Sequence, residues 1–236
     1  MFLDPYTLAR RPELLESIEK ASTRFVAQAL DLFRQESVSI FEHETDLQGD
    51  IGEDITTEAL DSLGMSRMAQ RVFGKMDYKR ARYIFEPDYA VRQVLLVDSK
   101  AEKSGGVARL QTSQTSMRVR QRRAGLNLDV PGKIPTVAVI KDIPFLTTTI
   151  FVKYLYRNRE RGNALQKIVI ACCPNGLLQD YYNPTPSDTI WVGGPNSPKR
   201  QEAFRTRLSF ERLKRKKGWR VQTISIEPEE LFVWDD

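Results

Sequence analysis

The sequence has few of the residues that soft-metal and nucleophilic chemistry require. Among 236 residues there are two cysteines and one histidine. Cys172 and Cys173 are adjacent in an apolar run, so on a strand they would point to opposite faces and could not chelate one ion together. His43 has no second histidine or cysteine near it in the sequence. A Cys/His zinc centre and a Ser-His-Asp triad therefore lack parts, and any metal should be a hard ion with oxygen ligands, which indicates Mg²⁺.

The sequence also lacks a hydrophobic run of membrane-spanning length, an internal repeat and a low-complexity segment. Hydrophobic residues make up 41% and charged residues 28% of the chain, which is typical of a folded protein. The first six residues have neither the basic nor the apolar region of a signal peptide. We therefore expect a cytoplasmic protein without a membrane span, and the length favours one domain with elaborations.

Positive charge is modest overall but unevenly distributed. The net charge is +5 and the isoelectric point is near 9.2. Four arginines lie between positions 118 and 123, a second basic cluster occupies 199–217, and the segment from Glu227 onward is acidic. Clustered arginine and lysine favour a polyanionic partner. For Lys214 to Lys217, a solvated helix face is an equally good interpretation.

Hydrophobic periodicity predicts an α/β protein with a mixed sheet flanked by helices. An amphipathic helix is predicted over 12–37, and a shorter one from Asp54 to Leu63 ends at Gly64. The stretch from Gly105 to Pro135 is polar and basic and predicts a loop or irregular strands made for contact. The remaining predicted elements are strands at 136–141, 165–173 and 219–226, a helix at 145–159, and a strand followed by a helix within 203–217.

A predicted hairpin carries the most informative residues. Residues 77–85 and 93–100 favour strands, and 86–90 favour a turn. A turn centred near Pro87 and Asp88 would set Asp77 opposite Asp98. Strand alternation would place Lys100 on the face of Asp98 and Ser99 on the other. Two carboxylates and a lysine at a strand end suit a divalent metal beside a phosphodiester, although an ordinary charge cluster at a sheet edge is the alternative.

Around this hairpin the sequence resembles the type II restriction endonucleases of the PD-(D/E)-x-K nuclease superfamily. The resemblance is carried by Glu53 to Thr56, Asp77 to Arg80 and Gln93 to Ala101. It begins at Leu15 to Lys20 and continues almost to Trp219. Further matching segments are Leu110-Gln111, Ser113-Gln114, Thr148 to Val152, Tyr182 to Pro184, Ser197-Pro198 and Phe210 to Lys214.

The resemblance implies a restriction-endonuclease-like fold and roles for the hairpin residues. Asp77, Asp98 and the carbonyl of Ser99 would hold Mg²⁺, and Lys100 would be the catalytic lysine. The literal Pro-Asp at Pro87-Asp88 would not be part of the site. Glu53 is a candidate supplementary acid, with a helix-start role as the alternative. We expect residues 1–236 to form a single nuclease domain with DNA-recognition elaborations around 103–135 and 183–210.

The same resemblance implies a function and partners. The expected activity is Mg²⁺-dependent, sequence-specific cleavage of double-stranded DNA at an interrupted palindrome. The expected assembly is a homodimer or a homotetramer, beside a cognate DNA methyltransferase. A structure-specific repair or junction nuclease and a non-catalytic DNA-binding regulator are the alternatives. Base contacts are expected from Arg205, Arg207, Lys199, Arg200 and Asn196, or from Gln111, Ser113 and Gln114, and phosphate contacts from Arg122 and Arg123.

Overall fold

The structure is a computed structural model that describes residues 2–44, 51–65, 81–86, 88–103, 105–123, 125–160, 162–193 and 206–236. The α-helices in these ranges are α1 (Pro12–Leu32), α2 (Arg34–His43), α3 (Ile51–Ser62), α4 (Gln179–Tyr182) and α5 (Phe210–Lys216). Short 3₁₀ helices occur at Pro5–Arg10, Thr112–Gln114, Gly176–Leu178 and Gly218–Arg220. None of the described helices is long and apolar enough to cross a membrane.

Most of the strands form one mixed sheet. In the described ranges they are β1 (Ala81–Glu86), β2 (Val91–Glu102), β3 (Val107–Leu110), β4 (Val119–Arg123), β5 (Leu126–Val130), β6 (Val137–Ile140), β7 (Ile143–Asn158), β8 (Asn163–Cys173), β9 (Thr206–Ser209) and β10 (Val221–Ser225). The order in the main sheet is β1-β2-β7-β8-β10, with β6 beside β7, while β3 pairs with β9 and β4 with β5. Strands β2 and β7 are parallel, which makes the sheet mixed, as predicted.

The largest difference from the sequence-based prediction is β7. The helix predicted from Phe145 to Arg159 is wrong, because this segment forms the long central strand. Every residue from Phe145 to Leu155 is buried, so apolar side chains occur on both faces and the alternation of a half-buried strand is missing. The four consecutive β-branched residues Thr147–Ile150 stiffen the backbone in favour of a strand.

The predicted amphipathic helix over 12–37 is interrupted. α1 ends at Leu32, Phe33 leaves the helical conformation with φ −91° and ψ 15°, and α2 continues to His43. The shorter predicted helix is confirmed as α3, which starts three residues earlier than expected. Gly64 follows it with φ +72°, the left-handed conformation that glycine adopts most readily after a helix.

The predicted hairpin forms, with a register different from the expected one. Ala81 pairs with Leu96, whereas a turn centred on Pro87 and Asp88 would pair Ala81 with Val94. The shift is two residues, so every side chain keeps its predicted face. Asp77, on which the predicted pairing with Asp98 depends, lies outside the described residues.

The two faces of the sheet have different partners. Helices α1, α2 and α3 cover one face, where Val26, Phe41 and Ile55 pack with Val97 and Ile150. On the other face, β7 contributes side chains to a second cluster that includes residues of β3 and β9, namely Phe151, Leu155, Ala108 and Leu208. The two-stranded ribbon of β3 and β9 is therefore packed on the face opposite α3.

A buried ion pair joins α1 to the 3₁₀ helix that precedes the last strand. Arg220 is fully buried between the rings of Tyr182 and Trp219, with its guanidinium carbon 4.4 and 4.3 Å from their centroids. Its Nη2 donates to Glu19 Oε2 at 2.7 Å, and Glu19 Oε1 accepts from the backbone N of Asn175 at 2.7 Å. Burial raises the pKa of Glu19 and the Arg220 charge opposes that shift. The pair connects α1 to the 3₁₀ helix Gly218–Arg220 and to the chain after β8.

Candidate active site and DNA interface

The end of β2 presents Asp98 and Lys100 on one face of the sheet. Asp98 is 7% exposed, at the end of a run of buried residues from Gln93. Lys100 is more open, and its Nζ lies 3.9 Å from Asp98 Oδ1. Ser99 points to the other face, where its Oγ donates to Thr56 Oγ1 at 2.8 Å. The predicted alternation of these three side chains is therefore confirmed.

Ser99 belongs to a buried hydrogen-bond chain that fixes the strand end. Thr56 Oγ1 is also 2.8 Å from the hydroxyl of Tyr154, so one contact set joins β2, α3 and β7. Burial raises the pKa of Tyr154, which keeps the phenol neutral. Because each group in the chain is hydrogen-bonded, the backbone of Ser99 has little freedom to rotate. Asp98 and Lys100, its two neighbours, are held in place by the same contacts.

The first turn of α3 lies directly against this strand end. A Cβ atom at Gly52 would be 3.1 Å from the backbone of Lys100 and Ala101 and 3.1 Å from a ring carbon of Tyr154. Only glycine fits such an approach without displacing a neighbour. Glu53 is the next residue, partly buried in the first turn of α3. This packing brings the start of α3, and with it Glu53, to the end of the strand that carries Asp98 and Lys100.

The described residues contain only part of the predicted metal site. Among them, no group of three or more His, Cys, Asp or Glu side chains is arranged to hold an ion. Asp77 is the second carboxylate that the sequence predicts, and it lies outside the described ranges. The donors that are described, the Asp98 carboxylate and the Ser99 carbonyl, are hard oxygens, which fits Mg²⁺ better than a soft metal.

The two cysteine side chains point to opposite faces of their strand, as the sequence predicts, and cannot bind one metal ion together. Cys172 and Cys173 are both buried and belong to different core clusters on opposite faces of β8. Burial raises the pKa of the Cys173 thiol to about 12 and raises that of Cys172 further. Both therefore stay protonated at neutral pH. His43 is at the end of α2, with Nδ1 2.7 Å from the carbonyl of Ser39.

Two arginines face each other across the β3–β9 ribbon. Arg109 pairs directly with Arg207, so their side chains lie on the same side. The other side of the ribbon is buried through Ala108, Leu110 and Leu208. Arg207 is one of the residues that the resemblance marks for base contacts, and Arg109 was missed by the sequence analysis. The signal was available, since Arg109 is the single polar residue of the strand Val107–Leu110, but its significance depends on the pairing with β9.

The other predicted DNA contacts are distributed between two places and a segment that is not described. Gln111 and Gln114 bind each other, because the Gln111 backbone N donates to Gln114 Oε1 at 2.8 Å, and Ser113 lies between them in a 3₁₀ turn. Arg122 and Arg123 are near the tip of the β4–β5 hairpin, with Arg122 exposed. Four predicted contacts lie outside the described residues: Asn196, Lys199, Arg200 and Arg205.

Both the sequence and the fold of this chain match known proteins. A family model described as type II restriction enzyme SfiI matches residues 16–224. The type II restriction enzyme SfiI of Streptomyces fimbriatus is 35% identical over an alignment of 225 residues, and the match covers 89% of this chain and 84% of the relative. The crystal structure of tetrameric SfiI bound to cognate DNA superposes with a TM-score of 0.81 at 33% identity, covering 92% of this chain and 86% of that one.

A second structural relative extends the fold comparison. The restriction endonuclease BglI bound to its DNA recognition sequence matches with a TM-score of 0.71 at 15% identity, covering 94% of each chain. The sheet and its flanking helices thus define a restriction-endonuclease-like fold. Within that class, the chain belongs to the SfiI family of type II restriction enzymes and is a site-specific deoxyribonuclease.

Proposed function

We propose that this protein hydrolyses both strands of duplex DNA at one interrupted palindromic sequence, with Mg²⁺ as cofactor. The observation that carries the proposal is the placement of Asp98 and Lys100 on one face at the end of β2, 3.9 Å apart, in a chain of the SfiI family. Membership in that family favours this function over a junction-specific nuclease or a non-catalytic regulator.

Asp98, Asp77 and the carbonyl of Ser99 would hold the metal. When bound, Mg²⁺ polarises the scissile phosphate and lowers the pKa of the attacking water. Lys100 orients that water and offsets the charge that develops on the phosphate during attack. Glu53, in the first turn of α3, which packs against the backbone of Lys100, is the supplementary acid. The Ser99–Thr56–Tyr154 contacts hold the strand end so that these groups keep their spacing.

The β3–β9 ribbon supplies part of the DNA interface. Arg207 contacts a base edge, together with Arg205 and the segment that contains Asn196, Lys199 and Arg200. Arg109 is exposed and has no acidic partner among the described residues. A DNA phosphate supplies the counter-ion for Arg109. Arg122 and Arg123 contact phosphates from the hairpin, and Gln111, Ser113 and Gln114 form a second set near the bases.

The expected assembly follows from the symmetry of the substrate. A palindrome requires a protein with two-fold symmetry, so a homodimer is the minimum. The SfiI structure that this chain resembles is a tetramer, which supports a homotetramer as the larger assembly. We infer a single nuclease domain over residues 1–236 with elaborations around 103–135 and 183–210. The protein would work in the cytoplasm beside a DNA methyltransferase that protects the host's own sites.

The test is cleavage of plasmid DNA by the purified protein. With Mg²⁺ we expect a limited set of discrete fragments whose ends map to one sequence, and with a chelator we expect intact plasmid. Asp98→Ala protein, prepared in parallel, controls for a contaminating nuclease. Cleavage restricted to branched DNA, or specific binding with no cleavage by the unaltered protein under any divalent metal, would refute the proposal.

A further inference from the structure

Lys153 is a buried cation in the central strand β7. Its side chain is 4% exposed. An ammonium group in such a place is costly unless it is paired and hydrogen-bonded, because it has lost nearly all its water. The partners of Lys153 therefore explain why the sequence tolerates a lysine at this position.

Two partners of Lys153 belong to two different elements. Its Nζ forms an ion pair with Glu102, the last residue of β2. The same Nζ donates to the carbonyl of Val107, the first residue of β3, at 2.7 Å. One ammonium group thus joins the end of the strand that carries Lys100 to the beginning of the ribbon strand that carries Arg109.

The register puts this contact beside the active site. Lys153 pairs with Lys100 in the parallel ladder of β2 and β7, so the two side chains lie on the same face of the sheet. Glu102 is two residues after Lys100 and faces the same way. Lys153 is therefore next to the candidate catalytic lysine, and its contacts extend from there toward the DNA-binding ribbon.

The connection between β2 and β3 contacts β7 at Gly105. A Cβ atom at Gly105 would be 2.7 Å from Cδ1 of Leu155, so the chain here passes directly over β7. The backbone N of Phe210 donates to the carbonyl of Gly106 at 3.0 Å, which ties the end of β9 to the same connection. Because β3 is paired along its length with β9, a displacement of Val107 displaces Arg207 as well.

We propose that Lys153 is a positioning residue that holds the base-contacting ribbon β3–β9 in register with the catalytic end of β2, through Glu102 on one side and Val107 on the other. This inference rests on the proposed function. Lys153 itself contacts neither DNA nor metal. Its role is to fix the distance between the bound bases and the scissile phosphate, so that correct binding at Arg207 places the phosphate against Asp98 and Lys100.

The test separates binding from cleavage in Lys153→Met. Specific binding is measured in Ca²⁺ on a duplex carrying the mapped site, and cleavage is measured as a single-turnover rate in Mg²⁺. We expect cognate affinity to be unchanged and the cleavage rate constant to fall on the order of 100-fold, the effect of a small misplacement of reacting groups. Lys167→Met, an exposed lysine on the neighbouring strand β8, is the matched control and should cleave normally.

A double variant distinguishes positioning from simple loss of stability. Lys153→Met leaves Glu102 without its ion pair, whereas Lys153→Met with Glu102→Gln removes both charges and should restore the unfolding temperature. The link to Val107 is absent in both, so we expect cleavage to stay low in the double variant although its stability recovers. Recovery of cleavage together with stability would show that Lys153 is only structural. Equal losses of binding and cleavage in a stable variant would also overturn the proposal.

Failure of this inference is distinguishable from failure of the proposed function. If the unaltered protein does not cleave DNA, the proposed function fails before any Lys153 variant is compared. If the unaltered protein cleaves and Lys153→Met cleaves equally well, the nuclease activity stands and the positioning role of Lys153 is wrong.

Discussion

Arg109 and Arg207 are cross-strand neighbours on the outer side of the β3–β9 ribbon. Neighbouring guanidinium groups place two positive charges on one side of the ribbon, which favours a polyanion over them. We expect the two residues to have different roles. A strand pair can place one arginine at a base edge while its neighbour contacts the backbone beside that base.

Substitution of the two ribbon arginines should therefore have different effects on DNA binding. Arg207→Ala should lose discrimination, because one bidentate base contact is worth about 1–3 kcal/mol at a single base pair. Arg109→Ala should weaken binding to cognate and random DNA to the same extent. It should also lower by about one unit the slope of the logarithm of the binding constant against the logarithm of the salt concentration. A competition binding assay at two salt concentrations measures both effects. If Arg207→Ala weakens binding to all DNA sequences equally, Arg207 contacts a phosphate. The base contacts must then be sought in 111–114 or 196–200.

The β4–β5 hairpin should contribute affinity without specificity. Arg122→Ala or Arg123→Ala is expected to weaken binding to every sequence and to flatten its dependence on salt, because a phosphate contact releases counterions wherever the protein binds. Arg118→Ala is a useful comparison, since Arg118 is already paired with Asp129 at 2.8 Å within the hairpin. Loss of preference for the cognate site in Arg122→Ala would assign the hairpin a base-contacting role instead.

Asp98 and Lys100 should be required for cleavage and dispensable for recognition. Asp98→Ala is expected to abolish cleavage and leave specific binding largely intact, because the carboxylate holds metal and not bases. Lys100→Ala should behave similarly with the metal still bound. Asp88→Ala, in the literal Pro-Asp of the hairpin turn, is the matched control and should cleave normally. Nicking by Asp98→Ala at nearly the unaltered rate would remove Asp98 from the mechanism.

Cleavage should require a metal ion that prefers hard oxygen ligands. Mg²⁺ is expected to support cleavage, and Ca²⁺ to support specific binding without turnover, because its looser and larger coordination does not match the geometry of attack. Plasmid cleavage and gel-shift assays in each metal measure the two properties. A zinc requirement, or full activity in chelator, would contradict an oxygen-bound ion at Asp98 and Asp77.

The buried pair of Glu19 and Arg220 should dominate the response of stability to mutation. Arg220→Met leaves the Glu19 carboxylate buried without its counter-ion, which should lower the free energy of unfolding by about 3–5 kcal/mol. Replacing both residues with methionine should recover much of that loss, because no uncompensated charge remains. Urea unfolding of the three proteins measures the difference. A double variant no more stable than Arg220→Met would indicate that the Tyr182 and Asn175 contacts matter more than the charge.

The mixed sheet, its flanking helices and the placement of Asp98, Ser99 and Lys100 could be predicted from the sequence. The strand β7 and the roles of Lys153 and Arg109 could not. Asp98, Ser99 and Lys100 follow a run whose apolar character marks a buried strand, and strand alternation then fixes their faces. β7 was misassigned because its burial on both sides removes the period that separates strand from helix. Because the segment was predicted as a helix, on which Lys153 would be an ordinary surface lysine, its buried contacts were not predicted. Arg109 required knowledge of pairing between β3 and β9, whose sequences are about a hundred residues apart and have no local signal.

The pairing of Glu19 with Arg220 also connects the first long helix to a residue that is synthesised late. The two residues are 201 positions apart, so a growing chain lacks the Arg220 counter-ion of Glu19 until residue 220 has left the ribosome. Before that moment, burial of the ionised Glu19 side chain is costly, which disfavours complete packing of α1 against the sheet. A translation product that stops short of Arg220 should therefore be less stable than the complete chain.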